Sequence, residues 1–459
     1  RSWSIFRRQH ATNPAIRSPA WLEHSCASAL SLVCLVGSWS SSKEADKEAL
    51  SQIAGRSYES LERDLLTLEK LDDSPVIHIG TVWKAKSPLE LLALFADRIS
   101  EAEIDRFFTQ AEEILGKIDP IAELPKDARE LASFKGIDSP TSAFLEEAVC
   151  DTLVKLSVRG PDFEGLAAKH IDTRVAQLVR RLLENADKVR WLSLSERLPA
   201  LAEAAPSEFM TAVEAGLERA DSPVRALLEE TDGAGILNIR CWHAGLLWAL
   251  EKLAWAPQRL TRVSLILARL SETEIKGNWA NTPANSLLDL YRSWLPQTAA
   301  NIEQRIAALD ILIKGHPAAA MRLLDGLTQT GHDMASPSAR PDWRDDDSGA
   351  GYGASGEERH QMLVAAADRR GPVGDQVLAA FQVVGPGIAR HQLVSAGDSQ
   401  ELAVVLDFTN QNRLGDVVVR QHGAGATGQV GYFYANHGVD DLVGVGGASC
   451  FNRFDPHVE

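Results

Sequence analysis

The chain has 459 residues, with 63 Asp or Glu against 47 Lys or Arg and a formal net charge of −16. Its length and its 45% hydrophobic content suit two or three globular domains and exclude disorder throughout. The acidic balance argues against a protein that coats nucleic acid or membranes through clustered cations, and no apolar run reaches the roughly 20 residues that cross a bilayer.

Residues 1–40 are interpreted as an N-terminal segment. Because the sequence begins with Arg1 rather than Met, we expect it to be a fragment of a longer protein. The apolar run at 26–37 contains several serines and no clear cleavage site, which disfavours a signal peptide. The five cysteines are scattered and form no CxxC pair, so a reducing, cytoplasmic location is favoured.

Residues 41–100 have the pattern of a small α+β unit that is similar to a winged helix. The predicted elements are helices at 44–54 and 57–71, β-rich runs at 76–79 and 81–85, and a helix from Pro88. Helix starts are marked by a serine with a glutamate three residues later at Ser41, Ser87 and Ser100, and by Ser222 before a proline. A generic α-rich packing unit would leave much the same pattern and stays an alternative.

The helix at 57–71 would be the recognition helix of a DNA-binding winged helix, because such units place one helix in the major groove. Its acidic residues outnumber its basic ones: Glu59, Glu62, Asp64 and Glu69 against Arg63 and Lys70. Phosphates would repel that face, so a structural role is favoured over DNA reading.

Residues 101–343 read as successive amphipathic helices, which predicts a helical-repeat scaffold. Apolar stripes with helical spacing occur at 104–115 and 175–183. The proline-containing breaks between such stripes are spaced as turns between helices would be. No fixed repeat length emerges, so we predict an all-α fold in the form of an irregular solenoid of helical hairpins.

Tryptophan is concentrated in the stretch 240–294. A partner-binding surface there would comprise five residues: Trp242, Trp248, Trp255, Trp279 and Trp294. An aromatic stripe at helical spacing is more often core, so burial inside stacked helices is the competing interpretation. The asparagines of this stretch, Asn278, Asn281 and Asn285, are interpreted as helix caps rather than ligands.

The composition changes near Trp343. All eleven tryptophans lie at or before this residue, the last lysine is Lys314, and glycine is concentrated beyond it. Residues 344–459 are therefore interpreted as a Gly-rich linker and a tail. Two explanations of the tail stay open: a frame-shifted translation, and a genuine linker with a small β-rich end whose candidate strands lie at 404–408 and 417–419.

No catalytic, cofactor-binding or metal-binding residue is predicted, because the sequence lacks GxxxxGK[ST], HExxH and GxSxG. The acidic residues near Trp343, with His332 and Asp333, are interpreted as a solvated loop rather than a Mg²⁺ site. The GxGxxG spacings at 351–356 and 423–428 are interpreted as linker sequence. His243 is expected to be a satisfied core or boundary residue, and Cys450 has no convincing partner for a nucleophile.

Two groups of short motifs carry a family resemblance over residues 30–345. The first comprises LVGSW at 35–39, EAD at 44–46, YE at 58–59, DSP at 73–75 and GxxW at 80–83. The second comprises DP at 119–120, ELP at 123–125, GLLWALE at 245–251, GNWAN at 277–281 and PDWR at 341–344. Together they resemble the winged-helix-like and helical-repeat region of large bacterial NTPases of the STAND or NACHT-like class.

In that class an upstream P-loop ATPase is joined through a winged-helix-like unit to a long helical sensor, and several members serve in antiphage defence. The resemblance implies a non-catalytic regulatory or sensor scaffold that binds a protein partner or its own oligomer. This chain departs from the class because it lacks the phosphate-binding loop, so no nucleotide cofactor is expected. A winged-helix DNA-binding regulator and an enzyme with its site in the tail are the alternatives.

Overall fold

The structure is a computed structural model that describes residues 18–129, 132, 135–230, 240–277, 279–328, 335 and 338–371, and five strands beyond them. The described chain is mostly helical, as the sequence predicts, with a small three-stranded antiparallel sheet in its N-terminal part. Its internal contacts define two compact units, Arg1–Leu323 with His332–Ser355 and Leu324–Gly331 with Gly356–Glu459.

The helices of six or more residues are numbered in chain order: α1 Ala29–Val36, α2 Glu44–Ala54, α3 Tyr58–Glu69, α4 Pro88–Phe95, α5 Glu101–Gly116, α6 Ala143–Arg159, α7 Ile171–Leu183, α8 Lys188–Ser193, α9 Leu198–Ala204, α10 Pro206–Glu218, α11 Ala244–Ala254, α12 Leu260–Leu270, α13 Pro283–Tyr291, α14 Ile302–Gly315, α15 Pro317–Leu327 and α16 Gly356–Arg370. Shorter helical turns lie at Ala20–Glu23, Pro120–Glu123, Lys126–Arg129, Gly160–Asp162, Glu164–Ala167, Ala226–Glu229 and Pro257–Arg259.

The small sheet consists of β1 Ser38–Ser40, β2 Val76–Ile79 and β3 Val82–Ala85, in the order β1-β3-β2. Gly80 takes a φ of 62° in the tight β2–β3 connection, a conformation that glycine adopts without a Cβ clash. Trp39 and Trp83 face each other across β1 and β3, with ring centroids 6.1 Å apart and both side chains fully buried. The two indoles thus form the core of the sheet.

The elements predicted between residues 44 and 95 are confirmed, and two further elements that pack with them precede residue 41. Strand β1 and helix α1 precede residue 41, and β1 supplies one edge of the sheet. Helix α1 is buried along its whole length and packs against α4 and α6. The N-terminal segment is therefore part of this packing unit from residue 29 onward.

Asp46, in the first turn of α2, joins the sheet to the helices that follow. Its side chain is fully buried. It accepts hydrogen bonds from the Ser40 main-chain nitrogen at 2.9 Å, from the Ser142 nitrogen at 2.8 Å and from the Ser142 hydroxyl at 2.5 Å. Because Ser142 is also the N-cap of α6, one carboxylate fixes β1 and the start of α6 together.

Helix α6 is central to the first unit. It packs against α7 and α9, which follow it, and also against α1 and β1, which are distant in sequence. In a solenoid each repeat contacts only its neighbours along the chain. The high helix content agrees with the prediction. Helix α6, however, also contacts elements that are not its neighbours along the chain, which a solenoid of stacked hairpins would not show.

The second unit contains α16 and the C-terminal strands. Arg370 at the end of α16 pairs with Asp325 at 2.7 Å and donates to Thr328 at 2.8 Å. The strands are β4 Phe381–Val383, β5 Ala389–His391, β6 Glu401–Thr409, β7 Arg413–His422 and β8 Gly431–Phe433. The pairs β4–β5, β6–β7 and β7–β8 are antiparallel, so the strands predicted at 404–408 and 417–419 lie in one ladder.

Candidate partner-binding surface and strap groove

The five tryptophans predicted to form a partner-binding surface differ in exposure. Trp242 and Trp255 are 3% and 2% exposed, so they are core residues and the prediction is wrong for them. Trp279 and Trp294 are half-buried. Trp248, in the middle of α11, is 49% exposed. The candidate surface is therefore centred on Trp248.

Two arginines contact the ring of Trp242. The guanidinium carbons of Arg240 and Arg129 lie 4.2 Å and 5.5 Å from the centroid of its ring. Arg129 pairs with Glu230 at 2.8 Å, and Arg240 pairs with Asp119 at 2.6 Å. Each cation thus has a carboxylate partner and an aromatic face, which explains why this tryptophan is buried among charged side chains.

His243, next to Trp242, is a satisfied core residue, as expected. It is fully buried, and its Nε2 donates to the main-chain oxygen of Asn281 at 2.8 Å. Burial lowers the pKa of His243, and burial also raises the pKa of the neighbouring Cys241 thiol. Cys241 Sγ lies 3.5 Å from His243 Nε2. Both shifts favour the neutral forms, whereas an activated cysteine nucleophile requires the thiolate.

The predicted asparagine caps are wrong at two positions. The N-cap of α13 is Thr282, whose hydroxyl accepts from the main-chain nitrogen of Asn285 at 3.2 Å. The side chain of Asn285 instead donates to the Ala280 main-chain oxygen at 2.6 Å. The main-chain oxygen of Asn281 accepts the His243 hydrogen bond, while Asn278 lies outside the described residues. Asn281 and Asn285 thus make hydrogen bonds within the chain, although not as helix caps.

Residues 338–347, here called the strap, bind to the surface of α6, α9 and α11 through a buried carboxylate. Glu203 at the end of α9 is 1% exposed. Its two oxygens accept the main-chain N–H groups of Trp343 at 2.6 Å, Asp342 at 3.0 Å and Arg344 at 3.1 Å. Lys252 also donates to Glu203 at 3.2 Å. Three successive amides and one ammonium group therefore satisfy a single carboxylate.

A second buried carboxylate holds the start of the strap. Glu251 accepts from the Ser286 hydroxyl at 2.6 Å and from the Ala339 main-chain nitrogen at 3.0 Å. The indole nitrogen of Trp255 donates to the Ala339 oxygen at 3.0 Å. Burial raises the pKa of Glu251, and these two hydrogen bonds oppose that shift. Both main-chain polar groups of Ala339 are thus satisfied by α11 and the residue that ends it.

Trp343 and Arg344 anchor the strap through their side chains. The Trp343 indole nitrogen donates to Asp151 Oδ1 at 2.8 Å, and the Lys155 ammonium lies 6.0 Å from the indole centroid. Arg344 donates to the Ser157 hydroxyl at 3.2 Å. Backbone and side chains of the strap are therefore both recognised. The strap groove is formed by Asp151, Lys155, Glu203, Glu251 and Lys252.

Three acidic residues of the strap are solvent-accessible or half-buried, as a solvated loop would be, but each is also ion-paired. Asp342 pairs with Lys252, Asp346 with Arg259 at 2.8 Å, and Asp345 with Arg159 at 3.5 Å. These partners lie on or beside the helices of the first unit and were too distant in sequence to be foreseen. Among the described residues, no group of three His, Cys, Asp or Glu could hold a metal ion; His332 and Asp333 lie outside that part of the chain.

The first GxGxxG spacing is not part of a nucleotide-binding βα unit. The described residues 338–355 that precede α16 contain no strand, and Gly356 is already the first residue of α16. A dinucleotide loop needs a strand that leads into it. The second spacing, at 423–428, and Cys450 lie outside the described residues.

Glu203 and Glu251, two of the five residues that form the strap groove, are not predicted from the sequence. Each occupies an otherwise apolar stretch of its helix, between Ala202 and Ala204 in one case and after Leu250 in the other. A glutamate in the apolar stripe of a helix is a usable signal, because buried charges are paired or hydrogen-bonded. The apolar surroundings in the sequence thus identify each glutamate as buried, but they do not identify the groups that it binds.

In the part of the chain that the structure describes, every helix is too short or too polar to cross a membrane. Comparison with family models, with curated proteins and with solved structures gave no match for this chain.

Proposed function

We propose that this chain is the non-catalytic regulatory or sensor portion of an antiviral NTPase of the STAND type, and that it binds a protein partner or a second copy through its helical surface. The proposal includes a cytoplasmic location and a winged-helix-like unit followed by an irregular helical solenoid. The order α1-β1-α2-α3-β2-β3 with the sheet order β1-β3-β2 supports the winged-helix-like part.

The exposed Trp248 is the observation that carries the partner-binding part of the proposal. Its immediate neighbours in α11, Leu247 and Ala249, are fully buried, so the helix is fixed while this one large side chain faces outward. Tryptophan is enriched among the residues that dominate the energy of protein interfaces. Helix α11 also carries Glu251 and Lys252, which hold the strap, so the exposed indole lies on a rigid element.

Site-specific photo-crosslinking tests this proposal. A photoreactive phenylalanine at position 248 should give intermolecular adducts in the native host, whereas the same group at Phe144, which is also 49% exposed, serves as the matched control. Adducts at 248 that are absent at 144 would support a partner surface on α11. Equal adduct formation at both positions, or none at 248, would contradict it.

The NTPase part of the proposal has a separate test. The genomic sequence upstream of Arg1 should contain an in-frame GxxxxGK[ST] motif, because a STAND-type protein carries its phosphate-binding loop before the winged-helix-like unit. An open reading frame that begins near Arg1 would contradict this part. Nanomolar, sequence-dependent DNA binding that is lost on Arg63→Ala would instead support the DNA-binding alternative.

A further inference from the structure

We propose that the strap groove is a binding site for an acidic, tryptophan-containing peptide segment of a protein partner, and that the strap is its internal occupant. This inference rests on the proposed partner-binding function and names the site and the chemistry of the ligand. The contacts between the strap and the groove carry the argument.

The groove recognises peptide backbone. Glu203 accepts hydrogen bonds from three successive main-chain N–H groups. Glu251 accepts a hydrogen bond from the Ala339 N–H group, and the Trp255 indole donates one to the Ala339 oxygen. Such contacts depend on the path of the chain rather than on the side chains that it carries. Peptide-binding proteins obtain affinity in the same way, from main-chain hydrogen bonds, and obtain specificity from side-chain pockets.

Side-chain specificity comes from the tryptophan. The Trp343 indole nitrogen donates to Asp151, while its ring lies beside the Lys155 ammonium. Lys155 is 3% exposed in the strap-bound chain and lies 3.3 Å from Asp151, one turn earlier on the same helix, so the ion pair itself does not depend on the strap. A tryptophan side chain can bind both Asp151 and Lys155, because its N–H group donates a hydrogen bond to the carboxylate and the face of its ring attracts the ammonium group.

Charge complementarity predicts an acidic ligand. Lys252, Arg259 and Arg159 meet aspartates of the strap. The aspartates at 342 and 345 have 72% and 89% of their side-chain surface exposed, so these two ion pairs are weak and screened by salt. Because these outer ion pairs are weak, an acidic peptide of a partner can replace the strap in the groove.

Release of the strap does not leave an isolated buried charge. Lys252 lies 3.2 Å from Glu203, and both residues belong to helices of the groove rather than to the strap. Removing one partner of a buried pair is costly because the other charge is left uncompensated. Here the cation and the anion both belong to the groove, so the empty site keeps its charge balance.

Fluorescence anisotropy with a labelled peptide of residues 338–347, SARPDWRDDD, tests the proposal on the full chain. The wild-type strap competes at an effective concentration in the millimolar range, as tethered ligands do, so the peptide should bind it poorly. The double variant Trp343→Ala/Arg344→Ala weakens the strap and should bind the peptide at least tenfold more tightly. Adding Arg159→Ala to this variant should lower the affinity and its dependence on salt.

A peptide in which the tryptophan is replaced by alanine is the matched control and should bind at least tenfold more weakly. Equal binding of the two peptides, equal binding by wild type and double variant, or no saturable binding to the double variant would overturn the proposal. Unfolding of the double variant, seen by circular dichroism, would also overturn it, because the strap would then be integral to the fold. None of these outcomes affects the cross-linking test at position 248.

Discussion

The main-chain nitrogen of Trp343 lies 2.6 Å from Oε1 of Glu203, although the two residues are 140 positions apart. This hydrogen bond attaches the strap to the end of α9. It belongs to a set of three amides and one lysine that share the same carboxylate. The stability of the described unit should therefore depend on Glu203 more than on any exposed acidic residue.

Replacing Glu203 by alanine should lower the free energy of unfolding by about 3–5 kcal/mol, the range for breaking a buried charge pair. The control is Glu196→Ala, which removes a largely exposed partner of Arg240 and should cost about 1 kcal/mol or less. Urea denaturation followed by circular dichroism measures both. Equal losses for the two variants would show that the strap contributes nothing through Glu203.

Gly245 allows α11 to approach the residue Ser195 closely. A Cβ at position 245 would lie 1.8 Å from the Ser195 main-chain oxygen, so Gly245→Ala should cost about 3 kcal/mol or more through overpacking. Gly315 is the control, because a Cβ there meets Leu265 at an ordinary 3.6 Å. Gly315→Ala should be neutral or stabilise by up to about 1 kcal/mol. Thermal denaturation of both variants checks the difference in sign.

Two tryptophans of the α11 region should respond differently to truncation. Trp255→Ala removes a buried indole that donates to Ala339, and should cost about 3–5 kcal/mol. Trp248→Ala removes a half-exposed indole and should cost about 1 kcal/mol or less. Denaturant midpoints at constant m-value give both numbers. A loss at position 248 as large as that at 255 would place Trp248 in the core instead of on a surface.

The buried Glu251 gives a pH dependence whose sign follows from its raised pKa. Between the ordinary carboxyl pKa of about 4.3 and the raised value, the folded chain binds more protons than the unfolded chain. The contribution of Glu251 to stability is therefore greatest at low pH and falls as the pH rises through that window. Subtracting the unfolding free energy of Glu251→Gln from that of wild type isolates this effect.

This difference should decrease as the pH is raised from about 4 and become constant above the raised pKa. His243, whose pKa is lowered by burial, titrates in both proteins and cancels in the comparison. A difference that increases with pH would mean that the carboxylate of Glu251 is stabilised in the folded state.

Local sequence patterns predicted the helices because capping and amphipathic spacing act within one or two turns. Ser100 and Glu103 form the reciprocal capping box at the start of α5, and Ser87 caps α4. The same pattern was wrong at Ser41, because α2 begins after Lys43 and the Ser41 hydroxyl donates to Thr81 instead. Thr81 lies in the β2–β3 connection, 40 positions away in the sequence, so the local pattern could not indicate this contact.

The strap groove could not be predicted because its contacts are distant in sequence. The composition change at Trp343 suggested the end of the helical scaffold, yet Arg344 donates to the Glu203 main-chain oxygen and Asp346 pairs with Arg259. Composition reports the average character of a segment, whereas docking depends on individual polar contacts. The sequence also did not indicate which of the five tryptophans are exposed, because helical spacing alone does not show which face of a helix is covered by its neighbours.

Hydrogen exchange of the amides of Asp342, Trp343 and Arg344 tests most directly the claim that the strap is bound by Glu203. In the wild-type chain these three amides should exchange on the order of 100-fold more slowly than in an unstructured peptide, because each donates a hydrogen bond to the same buried carboxylate. In Glu203→Ala the protection should be lost at all three together, while the amides of α6 keep theirs. Exchange at the unprotected rate in the wild-type chain would contradict the claim.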